Sequence, residues 1–165
     1  MLNYISSLLE REHSHKEMRF PEFSDAIYRF GEHWDWEPHE VLTKDLYKLN
    51  MFRLTADESG NSLERSRGPI LLQHGSGQSG IAWFNERTDA KISVFPILLA
   101  RAGFDVWIGN TRGSRNSREH VLVDDTDPWY WDFSWSELGL YDLPSMIDHI
   151  YTETDMQKVT YIGHS

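Results

Sequence analysis

Three short runs in the second half of the chain read apolar without alternation, and each ends in a polar, glycine-bearing loop. They are "PILLQHG" from Pro69 to Gly75, "FDVWIGN" from Phe104 to Asn110, and "KVTYIG" before the final His164 and Ser165. A strand with one wet face alternates apolar and polar residues. A strand covered on both faces does not. The segments between the runs have helical character. "SVFPILLARAG" is apolar, closes on Gly103, and carries Pro96 where a first turn or a kink would tolerate it. "SWSELGLYDLPSMIDHIYT" opens with a Ser134–Glu137 capping-box pattern. Leu140, Leu143, Ile147 and Ile150 space out as one apolar face, with Asp142 expected to cap a fresh segment ahead of Pro144. Strand, helix, strand, helix, strand specifies an α/β protein with a mostly parallel sheet, flanking helices and right-handed crossovers. Ligand chemistry in such sheets lies beyond the carboxyl ends of the strands. Here those ends carry "HGSGQSG", "NTRGSRNS" and "GHS".

Residues 1–30 read as a polar, partly helical leader, with an S-x-x-E capping pattern at Ser7 and Glu10. His13 and His15 are two apart, so on a helix they face different ways and make a poor metal pair. "HEVLTKDLYKLNMFRLT" fits two short antiparallel strands around a "TKD" turn, and "ADESGNSLERSRGP" is a surface loop.

The formal net charge of −10 argues against nucleic-acid binding, which needs a basic surface. No cysteine is present, so disulfide and thiolate chemistry are excluded. No apolar run approaches the roughly 18 residues of a membrane span, and no signal peptide is visible at Met1, although the true start of the protein could lie upstream. No set of side chains has the spacing of a metal site, and no cofactor is expected.

Two of the loops carry chemistry. "GHS" after a buried strand is the first part of a G-x-S-x-G elbow, in which the serine sits on a sharp, strained turn. Gly163 and His164 form that elbow and Ser165 is the candidate nucleophile. In "LLQHGSGQSG", His74 and Gly75 close a strand, and the Ser76 N–H is placed to donate to an oxyanion. The rival reading takes Gly75, Gly77 and Gly80 as a dinucleotide loop, but neither a clean helix opening nor a suitably spaced acid follows.

Taken together, "PILLQHGSGQSGIAWF", "LLARAGFDVWIGNTRGSRNSREH", "YWDFSWSELGLYDLPSMIDHI" and "VTYIGHS" resemble the acid lipases, the gastric and lysosomal lipase group of α/β-hydrolases. The resemblance runs from about residue 31 to 165. "GNTRG" and "WDFSW" are its most specific stretches. It departs from the family pattern twice: Asp45-Leu46-Tyr47 replaces D-G-Y, and Ser76 replaces an apolar residue after His-Gly.

The resemblance implies hydrolysis of carboxylic esters of neutral lipids, triacylglycerol or sterol ester, through an acyl-serine at Ser165. The oxyanion donors would be the N–H groups of Ser76 and of the residue after the nucleophile. It also implies an acid and a histidine further along than Ser165. Residues 31–165 are therefore expected to be the N-terminal half of a hydrolase domain, truncated after the nucleophile strand and inactive alone. Localisation in a lysosome or outside the cell follows from the resemblance only. The alternatives are a non-catalytic remnant or interaction fragment, and a small-ester serine esterase. His74 reads as loop support, His164 as a flank that points elsewhere, and Arg112 as a pin for its own loop. His120 and His149 read as surface residues. Trp129, Trp131, Phe133 and Trp135 read as packing rather than a substrate belt.

Overall fold

The computed structural model describes residues 15–85, 94–156 and 158–165. The Ser7–Glu10 pattern and His13 lie outside the described residues, and His15 is exposed. The first strands, β1 (Asp35–Leu42) and β2 (Tyr47–Ala56), form an antiparallel hairpin in register from Trp36↔Leu54 to Leu42↔Lys48. Its turn is held by Thr43, whose hydroxyl accepts from the Tyr47 N–H at 2.9 Å and donates to Asp45 Oδ1 at 2.6 Å. The remaining strands are β3 (Pro69–Gln73), β4 (Asp105–Gly109), the two-residue β5 (Glu119–His120) and β6 (Thr160–Gly163). They join in the order β1-β2-β4-β3-β6, with β5 pairing β2. The β4–β3 and β3–β6 pairs are parallel, and β2–β4 is antiparallel. The sheet is therefore mixed: the expected parallel part is there, and the hairpin adds an antiparallel end.

Every residue of β3 and β4 is buried, and the two faces use alternate residues. Ile70, Leu72, Val106 and Ile108 enter one core with Trp34, Trp36, Phe52, Phe84 and Ile97. Leu71 and Trp107 enter the other with Leu49, Met51, Tyr130, Met146 and Ile150. This is why the runs do not alternate in sequence. Fully burying each such side chain contributes about 1.5–3 kcal/mol.

The first core is covered by helix α1 (Pro21–Tyr28), a 3-10 turn at Gly80–Phe84 and helix α2 (Phe95–Arg101). Pro96 takes the first turn of α2, and Gly103 follows it with φ 88°. Phe20, Phe23, Ala26 and Ile27 are buried, so part of the segment read as a polar leader belongs to the core. The second core is covered by a one-turn helix α3 (Trp135–Glu137), a π turn (Leu138–Asp142) and helix α4 (Leu143–Thr154). Ser134 and Glu137 form the expected capping box.

Four sequence expectations change here. Asp142 makes no cap. The chain passes through the π turn, in which the Leu143 N–H reaches back to Leu138 O, just before Pro144, which has no N–H to give. The wide turn also breaks the assumed periodicity, so Leu140 is exposed while Met146 and Ile150 are buried. Strand β6 is not buried: Thr160 and Tyr161 are exposed and Ile162 is half-buried, because among the described residues β6 pairs on one side only. His120 and His149 are half-buried rather than on the surface. His120 Nε2 lies 3.0 Å from Asp45 O, and His149 meets a second histidine from β1.

Candidate active site

The carboxyl ends of β3, β4 and β6 open onto one cleft of about 1170 Å³, lined by Ser76, Thr111, Trp135, Leu138, Tyr161 and Ser165, among others. The parallel register sets this up, because Gln73 pairs with both Gly109 and Gly163 and the three strands end level.

Ser165 is exposed at the tip of β6 with φ 60°. A residue with a Cβ pays about 1–2 kcal/mol to adopt this left-handed backbone. Such strain marks sites where geometry matters more than comfort. A G-x-S-x-G elbow puts its serine in a strained backbone of this kind. His164 precedes it; its N–H donates to Gln73 O at 3.0 Å, and its ring lies 6.2 Å from that of Trp83.

The β3 loop packs directly against this elbow. A Cβ on Gly75 would stand 2.9 Å from His164 O and 3.1 Å from His164 Nδ1. Only glycine lets the two backbones come this close. Among the described residues, nothing hydrogen-bonds to the Ser76 N–H, which leaves that donor free at the cleft.

His74 ties the β3 loop to the β4 loop. The Thr111 N–H donates to His74 Nε2 at 3.2 Å, so Nδ1 carries the proton and donates to Gly75 O at 2.9 Å. Burial pushes its pKa down, outweighing the hydrogen bond to Gly75. With both ring nitrogens engaged, His74 has none to offer a serine.

Arg112 lies beneath the β4 loop with its side chain almost fully buried. Its Nε donates to Asp142 Oδ1 at 2.8 Å, and its two terminal nitrogens donate to Asp45 at 2.6 and 2.9 Å. The guanidinium also stacks 3.9 Å from the Tyr47 ring centre. Partial burial is the largest single influence and opposes ionisation of Asp45, but the hydrogen bonds from Arg112 and Thr43 and the Arg112 charge together outweigh it and hold that carboxyl below its ordinary range. Breaking such a buried pair from one side costs about 3–5 kcal/mol. Both acids were missed as partners in sequence, because they come from the first hairpin and the π turn. Asn110 was also missed. It is fully buried, accepts from the Gly80 N–H at 2.8 Å, and donates to Asn50 O at 2.9 Å. It thereby clamps the β3 loop to β2.

The rival dinucleotide loop is overturned. Gly80 opens a five-residue 3-10 turn whose Phe84 plugs the core, and among the described residues no α-helix opens at the loop. Of the aromatic run, Phe133 packs against the second core as expected, whereas Trp129, Trp131 and Trp135 are exposed, against the expectation of packing; their neighbour Tyr130 is buried. Trp131 and Trp135 stand at the cleft. The exposure of Trp129 and Trp131 goes with the 3-10 turn at Pro128–Trp131, in which only Tyr130 is buried. No helix among the described residues is long and apolar enough to cross a membrane.

Known proteins resemble this chain in sequence and in fold. Residues 25–87 match the family described as the partial alpha/beta-hydrolase lipase region. The chain is 40% identical over 144 residues to triacylglycerol lipase 2 of Arabidopsis thaliana, covering 86% of this chain and 33% of that protein. It is 35% identical over 147 residues to gastric triacylglycerol lipase of Bos taurus, covering 88% of this chain and 36% of that one. The chain thus spans about a third of the length of these curated relatives. An esterase structure from Pyrococcus furiosus superposes with a TM-score of 0.52 at 15% identity, covering 79% of this chain and 40% of that chain, which shows the α/β-hydrolase fold alone.

Proposed function

The chain belongs to the gastric-type lipases of the α/β-hydrolase fold, and on that premise we propose that Ser165 is the nucleophile of an enzyme that cleaves carboxylic esters of neutral lipids, triacylglycerol or sterol ester. The observation that carries the reading is the left-handed Ser165 at the end of β6, in contact through His164 with the His74–Gly75 loop. The reaction is acyl transfer. Ser165 Oγ attacks the ester carbonyl as its proton passes to a base. The carbonyl oxygen becomes an oxyanion and takes N–H donors from Ser76 and from the residue after the nucleophile, each such donor contributing about 10²–10³ in kcat. Collapse expels the alcohol, and water then releases the acid from the acyl-serine. In this fold the acid and the base follow the nucleophile in chain order. The described residues accordingly supply the nucleophile and one wall of the oxyanion site. His74 contributes by fixing that wall. No cofactor enters any step.

Ser165→Ala in the full-length protein tests the assignment. It should lower hydrolysis of emulsified triacylglycerol or sterol ester by several orders of magnitude. It should also abolish labelling by a fluorophosphonate probe while the far-UV circular dichroism stays unchanged. Wild-type turnover in this variant would show that another group is the nucleophile.

A further inference from the structure

Away from the cleft, β1 and α4 bring two histidines and a glutamate together. His149 Nε2 lies 3.0 Å from His39 Nδ1, with the two rings edge to face at 5.0 Å between centres. Glu153 follows His149 by four residues on α4, so both side chains share one helix face. One ligand atom from each of His39, His149 and Glu153 falls within 4.8 Å of the others. None of the three lines the catalytic cleft.

We propose that His39, His149 and Glu153 form a binding site for a divalent transition-metal ion of the zinc class, with solvent in the fourth position. Two imidazole nitrogens and a carboxylate oxygen are a donor set that this class of ion takes. Tetrahedral bonds of about 2.0–2.1 Å put two ligand nitrogens about 3.3 Å apart. The histidine pair therefore opens by only a few tenths of an ångström. Glu153 is exposed, so its carboxylate is free to swing onto the ion.

The surroundings of His39 fit the role. Its second nitrogen, Nε2, faces Glu37 Oε1 at 3.1 Å. Glu37 is steadied in turn by Arg53 Nη1 at 3.2 Å. A carboxylate beside the far nitrogen of a histidine is a common support for a metal-bound ring. One of the two ring nitrogens donates to the other, the tautomers deciding which. On metal binding the ion takes the place of that hydrogen bond. The His39 ring is packed on Trp107 at 4.6 Å between centres, which limits its rotation. The consequence is mechanical. The ion joins the outermost strand of the sheet to a helix 110 residues further along the chain. This was invisible to spacing arguments, because no two of the ligands from different elements are close in sequence.

The test is Co²⁺ titration of the full chain, followed in the visible region, with Zn²⁺ competition and a thermal melt. The expected result is one Co²⁺ per chain with tetrahedral absorption, displaced by Zn²⁺, and a higher Tm with either ion. His149→Gln should weaken binding at least about 100-fold, and Glu153→Gln about 10–100-fold. Their metal-free melts should lie close to the parent's. Glu153 is exposed on a helix, so its variant reads the site even if the histidine variant folds poorly. No Co²⁺ or Zn²⁺ binding by the parent overturns the proposal, and so does parental affinity in Glu153→Gln together with His149→Gln.

Discussion

Leu46 carries a strain that its neighbours do not relieve, and replacing it should invert a common rule of protein stability. Its φ is 73°, in the left-handed region, at the end of the turn between β1 and β2. The backbone is held there from both sides: the Leu46 N–H donates to Thr43 O at 3.0 Å, and its carbonyl accepts from the Val121 N–H at 3.0 Å. A Cβ in this conformation costs about 1–2 kcal/mol. Leu46→Ala and Leu46→Gly lose nearly the same half-buried side chain. Only Gly sheds the strain, at a cost of about 0.5–1 kcal/mol in extra freedom of the unfolded chain. The difference leaves Leu46→Gly more stable than Leu46→Ala by about 0.5–1 kcal/mol, or about 1–4 °C in Tm for a domain of this size. Urea unfolding followed by circular dichroism, with equal m-values for the two variants, measures it. The same pair at exposed Leu122, whose φ is negative, is the control and should favour Ala. If Ala at position 46 equals or exceeds Gly, the turn is not strained in solution and the argument fails.

On the proposed function, Gly75→Ala should lower ester hydrolysis by the full-length protein about 10²-fold with a modest loss of stability, because its Cβ pushes His164 and with it Ser165; unchanged kcat shows that the loop and elbow do not need this contact. Arg112→Met should destabilise by about 3–5 kcal/mol by stranding fully buried Asp142, and Arg112→Met with Asp142→Asn should recover part of that in denaturant titrations; a loss under 1 kcal/mol contradicts the charge argument. His74 is held neutral by burial, so the unfolded chain takes up its proton first as pH falls. Its share of stability is complete above about pH 6.5 and is lost as pH drops towards its lower folded value. Ring titration by NMR should find His74 below 6.5, and a value at or above 6.5 contradicts its burial.

The sequence by itself determined the elements of the fold and the two loops of the site. "PILLQ" and "DVWIG" had to be strands covered on both faces, because both sets of alternate residues are apolar and both faces had to be buried. The Ser134 capping box and the glycine after α2 are local chemistry, legible because their partners are within a few residues. Ser165 and the His74–Gly75 loop could be picked out as candidates for the same reason, as each motif sits at the end of its own strand. The tertiary structure decided what depends on partners far along the chain. Arg112 was seen, but Asp45 and Asp142, 67 and 30 residues away, were not. The His39–His149 pair spans 110 residues and leaves no spacing to count. The π turn before Pro144 defeated periodicity, since one extra residue rotates every side chain ahead of it. The exposure of β6 was also undecided in sequence, because an apolar strand records which faces need cover but not which neighbours provide it.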